Sequence, residues 1–291
     1  MHPAPSVILF TVLSGMGFGC LAFLGLGLPA PGGWPAFFHW GLGYGLAVGG
    51  LLASTFHLGN PQRALRAFTQ WRTSWLSREA WTSVTALVLL APVALSDWLG
   101  LGWSRIPGLL GAMACLATVG TTSMIYGQLK TVPRWHHWTT PGLFVSFMAS
   151  GGAILTGNAE LGAVFCALLA AALVAAFRIG DGQFARAAQT IGTATGLDRI
   201  GSAQVFELPH TGQNYLLREM IFVVARRHVV KLRYIAVGLG AVLPGLMLLA
   251  LPDNPWSYGA AALVHLLGAA AARWLFFAEA EHVVGLYYGK R

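Results

Sequence analysis

The chain has 291 residues, of which 56% are hydrophobic and 10% charged, with 18 Lys and Arg against 10 Asp and Glu. An average soluble domain carries about 25% charged residues, and a mean hydropathy of +0.63 leaves too much apolar side chain for one aqueous core. Disorder, collagen, coiled coils and disulfide-stapled scaffolds are excluded, and no polar stretch is long enough for a Rossmann or TIM-barrel catalytic domain. The expected fold class is all-α: a polytopic membrane protein forming a single integral-membrane domain over 1–291.

A hydrocarbon core of about 30 Å needs roughly 20 apolar residues per helix. Such runs lie near 6–28, 37–58, 80–100, 107–129, 141–157, 160–178, 234–251 and 257–284, which makes about eight spans. Pro29 and Pro31 follow the first, Pro107 opens the fourth and Pro141 the fifth. The opening MHPAPSVILF has no basic region, so the first run reads as a retained helix rather than a cleaved signal peptide. Cys20, Cys115 and Cys166 each stand alone in an apolar run. No C-x-x-C exists, so the chain is not expected to hold its own iron–sulfur cluster or zinc site.

Sixteen Lys and Arg fall in the loops after even-numbered spans or at the C-terminal end, and Arg105 alone falls on the opposite side. The positive-inside rule then places both termini in the cytoplasm. It places the 178–233 segment there too, as a cytoplasmic loop and interfacial helix between spans six and seven. Pure connectors are shorter than this, so 178–233 reads equally as a solvated loop or as a docking surface. The net charge of +8 is accounted for by topology, and no nucleic-acid partner is expected.

Ionisable groups in or beside membrane spans are candidate functional residues. The richest cluster is STFHLGNPQRALRAFTQWRTSWLSREAW, between spans two and three. Asn60 and Pro61 read as an N-cap and N1 pair that starts a short helix, with Leu65 and Phe68 on its apolar side. Ser77 reads as the cap of span three, with Glu79 in its first turn. The chain leaves the membrane at His57 and re-enters near Glu79, so both lie at one depth. Arg72, Arg78 and Tyr126 are expected neighbours, with Thr11 and Ser14 on span one. A histidine beside a carboxylate at a membrane edge suits a quinone, whose reduction takes two electrons and two protons. The alternative is that His57 caps a helix and Glu79 pairs with Arg78 or Arg72.

His39 and His57 share a face of span two but stand about 27 Å apart, at 1.5 Å per residue. They cannot bind one haem together, and neither haem nor metal is expected. Arg273, Glu279 and His282 crowd the C-terminal end of span eight. They read as a possible second cluster, either structural or part of a proton path.

The stretches FHLGNPQRALRAF, TSWLSREAW and TVPRWHHWTTP resemble, in order and spacing, those of DmsC-type membrane anchor subunits of the dimethyl sulfoxide reductase family. The resemblance covers nearly the whole chain. It implies an anchor in the bacterial inner (cytoplasmic) membrane for a molybdopterin catalytic subunit and a four-cluster iron–sulfur subunit. It further implies exchange of electrons with ubiquinone or menaquinone, with His57 and Glu79 as quinone-site residues. ELPHTGQNYLLREM and RWLFFAEAEHVVGLYYG look more like the SoeC-like branch of sulfite-oxidising complexes. That branch implies sulfite oxidation with quinone reduction. The alternatives are an S-oxide reductase anchor oxidising menaquinol, an inert tether, or a transporter. A transporter is expected to carry ionisable groups near the midplane, whereas here they gather at one surface.

Overall fold

The computed structural model describes residues 4–56, 60–207, 212, 214–220 and 228–289. Among them there is no strand. Eight main helices follow the apolar runs: α1 Pro5–Gly25, α2 Gly33–Thr55, α3 Trp75–Leu99, α4 Ile106–Gly127, α5 Thr139–Leu155, α6 Ala159–Asp181, α7 Val229–Ala250 and α8 Pro255–Ala278. Seven are long and apolar enough to cross a membrane, and α5, with 17 residues, is the shorter apolar member.

The most buried helix is α1, which contacts α2, α4, α5 and α8. On one side α2, α3 and α4 complete the bundle; on the other, α6 and α7 pack beside α5 and α8. The outer helices expose large apolar side chains such as Leu52, Val88, Leu168 and Leu249, as surfaces that meet lipid do. Lipid removes the hydrophobic drive for helices to associate, so close backbone packing has to supply it. A Cβ on Gly152 of α5 would come 2.3 Å from the backbone of Gly19 on α1. A Cβ on Gly268 of α8 would come 1.9 Å from Gly240 N on α7. Neither position can hold another residue without separating its helices.

Several boundaries differ from expectation. Helix α3 begins at Trp75 because Ser74, rather than Ser77, accepts the capping bond, from Ser77 N–H at 3.4 Å. Glu79 therefore sits a full turn inside the helix. Helix α7 begins at Val229 instead of 234, and contains one π turn at Gly238–Val242. Helix α8 stops at Ala278 rather than running to 284. There the chain turns into a 3-10 helix, Val283–Tyr288, and Val283 N–H donates to Thr131 O at 3.0 Å. Within 178–233 the described structure is a set of short helices, including Ile191–Thr195 and Tyr215–Met220. This segment touches the C-terminal 3-10 helix, where Asn214 Nδ2 donates to Tyr288 Oη at 2.9 Å.

What stops α8 is an ion network. Glu279 accepts from Arg134, in the α4–α5 loop, and from Arg233 Nε of α7 at 2.6 Å. Asp181, at the end of α6, accepts from the same two arginines, at 3.1 Å from Arg134 and 2.8 Å from Arg233 Nη1. Two cations and two anions thus tie four segments together at one end of the bundle. Glu279 is buried and Asp181 half-exposed. Removing the buried partner of such a pair costs about 3–5 kcal/mol, because the cations are left uncompensated. An exposed pair contributes about 1 kcal/mol or less. Glu279→Ala is therefore expected to lower the melting temperature in detergent far more than Asp181→Ala; equal effects would show that the network does not hold this end together.

Candidate functional site

The turn from α2 to α3 is built by local sequence. Asn60 precedes Pro61, whose fixed φ suits a helix start, and a 3-10 helix runs over Pro61–Phe68. Phe68 packs edge-on to Trp81 with ring centroids 5.4 Å apart, and Trp81 Nε1 donates to Phe68 O at 3.0 Å. Leu65 is exposed, so the apolar side expected to lie on the membrane surface is free to do so. Between this helix and the ends of α2 and α3 lies a cleft of about 330 Å³. Leu51, Leu76 and Ala80 supply apolar wall; Ser54, Asn60, Arg63 and Glu79 supply polar groups.

Glu79 is 4% exposed. Its Oε1 lies 2.5 Å from Thr122 Oγ1 of α4, which also lies 2.9 Å from Thr118 O. One hydroxyl proton shared between two acceptors bonds each of them less well than it would bond one. A proton on the carboxyl lets Glu79 donate to Thr122 and Thr122 donate to the carbonyl, so the geometry accommodates a neutral carboxylic acid.

The residues expected around Glu79 are only partly brought together. His57 lies outside the described residues. Arg78 turns away from the cleft: its Nε donates to Trp71 O at 3.0 Å, its Nη2 to Arg72 O at 2.7 Å, and its guanidinium lies over the Trp75 ring. Arg72 lies near the Trp71 ring. Neither forms an ion pair with Glu79. Tyr126, one turn beyond Thr122, sits among Trp135, Phe144, Phe276 and Phe277 at centroid distances of 5.4–5.8 Å. Thr122 and Arg63 were not among the expected site residues. Thr118, Thr122 and Tyr126 repeat every four residues and so make a polar ridge on one face of α4, a signal that could have found Thr122.

The three residues of the second expected cluster each meet different partners. Glu279 belongs to the ion network, and His282 caps the terminal 3-10 helix, its Nδ1 accepting from Val284 N–H at 3.0 Å. Burial holds the His282 imidazole below its ordinary range, in keeping with a neutral acceptor. Arg273 lies deeper, 3% exposed, with its guanidinium carbon 3.5 Å from the Phe144 ring centroid. His39, at the opposite end of α2, has its Nδ1 2.8 Å from Pro35 O of its own helix. Among the described residues no three His, Cys, Asp or Glu stand close enough to hold a metal ion.

Residues 1–174, which carry both walls of the cleft, match the family described as DMSO reductase anchor subunit (DmsC). A sulfite dehydrogenase subunit of Allochromatium vinosum is 30% identical over 329 aligned positions, covering 99% of this chain and 99% of that protein. No solved structure matches. With seven helices long and apolar enough to cross a membrane among the described residues, and polar groups where the α2–α3 turn opens, the chain is an integral membrane protein that belongs to the DMSO reductase anchor subunit (DmsC) family.

Proposed function

We propose that this chain anchors a sulfite-oxidising complex in the bacterial inner membrane and carries its quinone site in the cleft beside Glu79. The observation that carries the reading is Glu79 itself: a buried carboxyl, held by Thr122, facing an apolar cleft at the end of the bundle where the basic loops gather. A cleft of about 330 Å³ falls in the usual range for small-ligand sites, roughly 300–1,000 Å³. Apolar walls suit a quinone ring, and the few polar groups suit its two carbonyls. The likeness to a sulfite dehydrogenase subunit along nearly its full length supports sulfite as the electron source.

A bound quinone would supply the two-electron, two-proton chemistry. The protein's part is to bind, to orient and to move protons. Glu79 can give up a proton and Thr122 then donates to the carboxylate that remains. His57, three positions before Asn60 in the sequence, is the second proposed proton-handling group, able to hydrogen-bond a carbonyl in its neutral form. Arg63 offers a fixed positive charge at the mouth. Arg72, Arg78 and Tyr126 support the site from outside it, by holding the α2–α3 turn and the face of α4. Electrons would arrive from a four-cluster iron–sulfur subunit docked on the 178–233 segment and the 61–78 turn, and from a molybdopterin subunit beyond it.

Acid–base groups typically contribute about 10²–10⁴-fold. His57→Ala is expected to lower quinone-linked sulfite oxidation by about that much, and Glu79→Gln, which keeps shape and loses the proton, by about 10-fold or more. Electron transfer from sulfite to a soluble dye should persist in both variants, since the dye bypasses the anchor. Parallel loss of both activities would make these residues structural, and no loss of either would move the site elsewhere.

Orientation and docking are tested together. Cys20, Cys115 and Cys166 are buried, whereas Ser202 is exposed. With Ser202→Cys, a membrane-impermeant thiol reagent should label inverted vesicles and not right-side-out ones. Assembly with the partner subunits should shield the thiol. Labelling of right-side-out vesicles would reverse the topology, and unshielded labelling of the intact complex would remove this segment from the interface.

A further inference from the structure

Beside Thr122, the hydrogen-bond partner of Glu79, lies a second and smaller cavity between α1, α4, α5 and α8. Thr122 lines it, and so do Thr11, Ser14, His265 and Arg273. The wall from α5 is aromatic, made by Phe144 and Phe147. Two polar atoms here are buried without a protein partner: Nε2 of His265 and Nη1 of Arg273. His265 is fully buried and Arg273 nearly so. Such atoms cost roughly 1–3 kcal/mol each unless something meets them.

Their hydrogen-bonding roles are fixed by what surrounds them. His265 Nδ1 lies 2.6 Å from Gly240 O, in the π turn of α7. A carbonyl can only accept, so Nδ1 carries the proton and Nε2 of the neutral ring is an acceptor. Arg273 Nη1 can only donate. A donor and an acceptor therefore share one small space. The volume open to the centre of a water molecule is about 20 Å³, against the roughly 10–15 Å³ that one water needs. Water accepts from the guanidinium and donates to the imidazole, which no simple ion does. Thr122 gives its own hydroxyl proton to Thr118 O or to Glu79, leaving an oxygen lone pair for the water's second proton.

We propose that this cavity is a binding site for an ordered water held between Arg273 and His265, and that through this water and Thr122 the charge of Arg273 stabilises the carboxylate of Glu79 once its proton has gone to the quinone. The second clause rests on the quinone reading above; the first does not. Arg273 is then a positioning residue, the buried cation that answers a buried anion formed only during turnover. The titratable or charged side chains that line the cleft or the cavity with Glu79 and Thr122, among those described, are Arg63 from the 3-10 helix, and Arg273 and His265 from α8, with Tyr126 on α4 near both Glu79 and Arg273. Helices α1, α2 and α5 contribute no titratable or charged side chain to either lining.

Reduction of a quinone needs Glu79 protonated, so quinone-linked turnover falls as pH rises through its ionisation. Removing Arg273 favours the protonated form, so that fall should move to higher pH. An opposite charge within about 4–6 Å shifts ionisation by about 1–3 pH units, and with a water and Thr122 between the charges the low end, about one, is expected.

Two measurements on the intact complex test the proposal. In an electron-microscopy map sharp enough to show ordered water, density is expected within hydrogen-bonding distance of both Arg273 Nη1 and His265 Nε2. Waters resolved elsewhere with none here would overturn the binding site, whatever the fate of the quinone reading. In Arg273→Met, the alkaline fall of the quinone-linked rate should move up by about one pH unit, while dye-linked turnover is unchanged. Arg273→Lys should restore much of the original profile. An unmoved profile in a complex that keeps its dye-linked activity would overturn the electrostatic role. If Glu79→Gln itself leaves quinone-linked turnover intact, the quinone reading fails and the water site stands on the map alone.

Discussion

Burying an ionisable group between apolar helices costs several kcal/mol unless a partner meets it, and the polar structure of this bundle follows from that constraint. Glu79 is met by Thr122, and Glu279 by Arg134 and Arg233. Arg273 is met by the faces of three aromatic rings, Phe144, Phe147 and Phe276. These answers differ in kind. The Glu279 network is a set of ion pairs at the end of a helix. Glu79 has a hydroxyl partner that serves a neutral acid as well as an anion. A carboxyl that must change charge during turnover needs the second sort of partner.

The close glycine contacts make this arrangement possible. Helix α1 can lie against α5 and α8 against α7 only because backbone meets backbone at Gly19–Gly152 and Gly240–Gly268. That tight packing leaves the small enclosed cavity beside Thr122. It also brings α8, the last membrane helix, to the face of α4 that carries the polar ridge. Glu79 lines the cleft, and its hydroxyl partner Thr122 lines the cavity. The cleft is large enough for a ring and opens outward; the cavity admits only water.

Much of the fold was legible because membrane helices announce themselves one at a time. Each apolar run became a helix, with proline and glycine near the ends. The polar turn between the second and third spans also stood out, since STFHLGNPQRALRAF breaks an otherwise apolar pattern. What stayed hidden is pairing between distant segments. Thr122 lies 43 positions from Glu79, and Arg134 lies 145 from Glu279. Local spacing grouped Arg273, Glu279 and His282 because they are near in sequence. In the structure each has its own partners, and the arginines that capture Glu279 come from the α4–α5 loop and from α7. The π turn of α7 had no signature in composition either; it shows itself through the Gly240 carbonyl that His265 meets.

The central claim is that quinone sits at the Glu79 end of the bundle. The opposite end offers the natural competitor, a larger cleft of about 560 Å³ lined by Phe38, His39, Leu42 and Tyr258. A photoreactive quinone, activated in the intact complex and mapped by peptide mass spectrometry, distinguishes the two directly. Label is expected on peptides covering 51–80, and it should be displaced by excess unlabelled quinone. Displaceable label confined to the peptides around 31–42 and 253–259 would contradict the account.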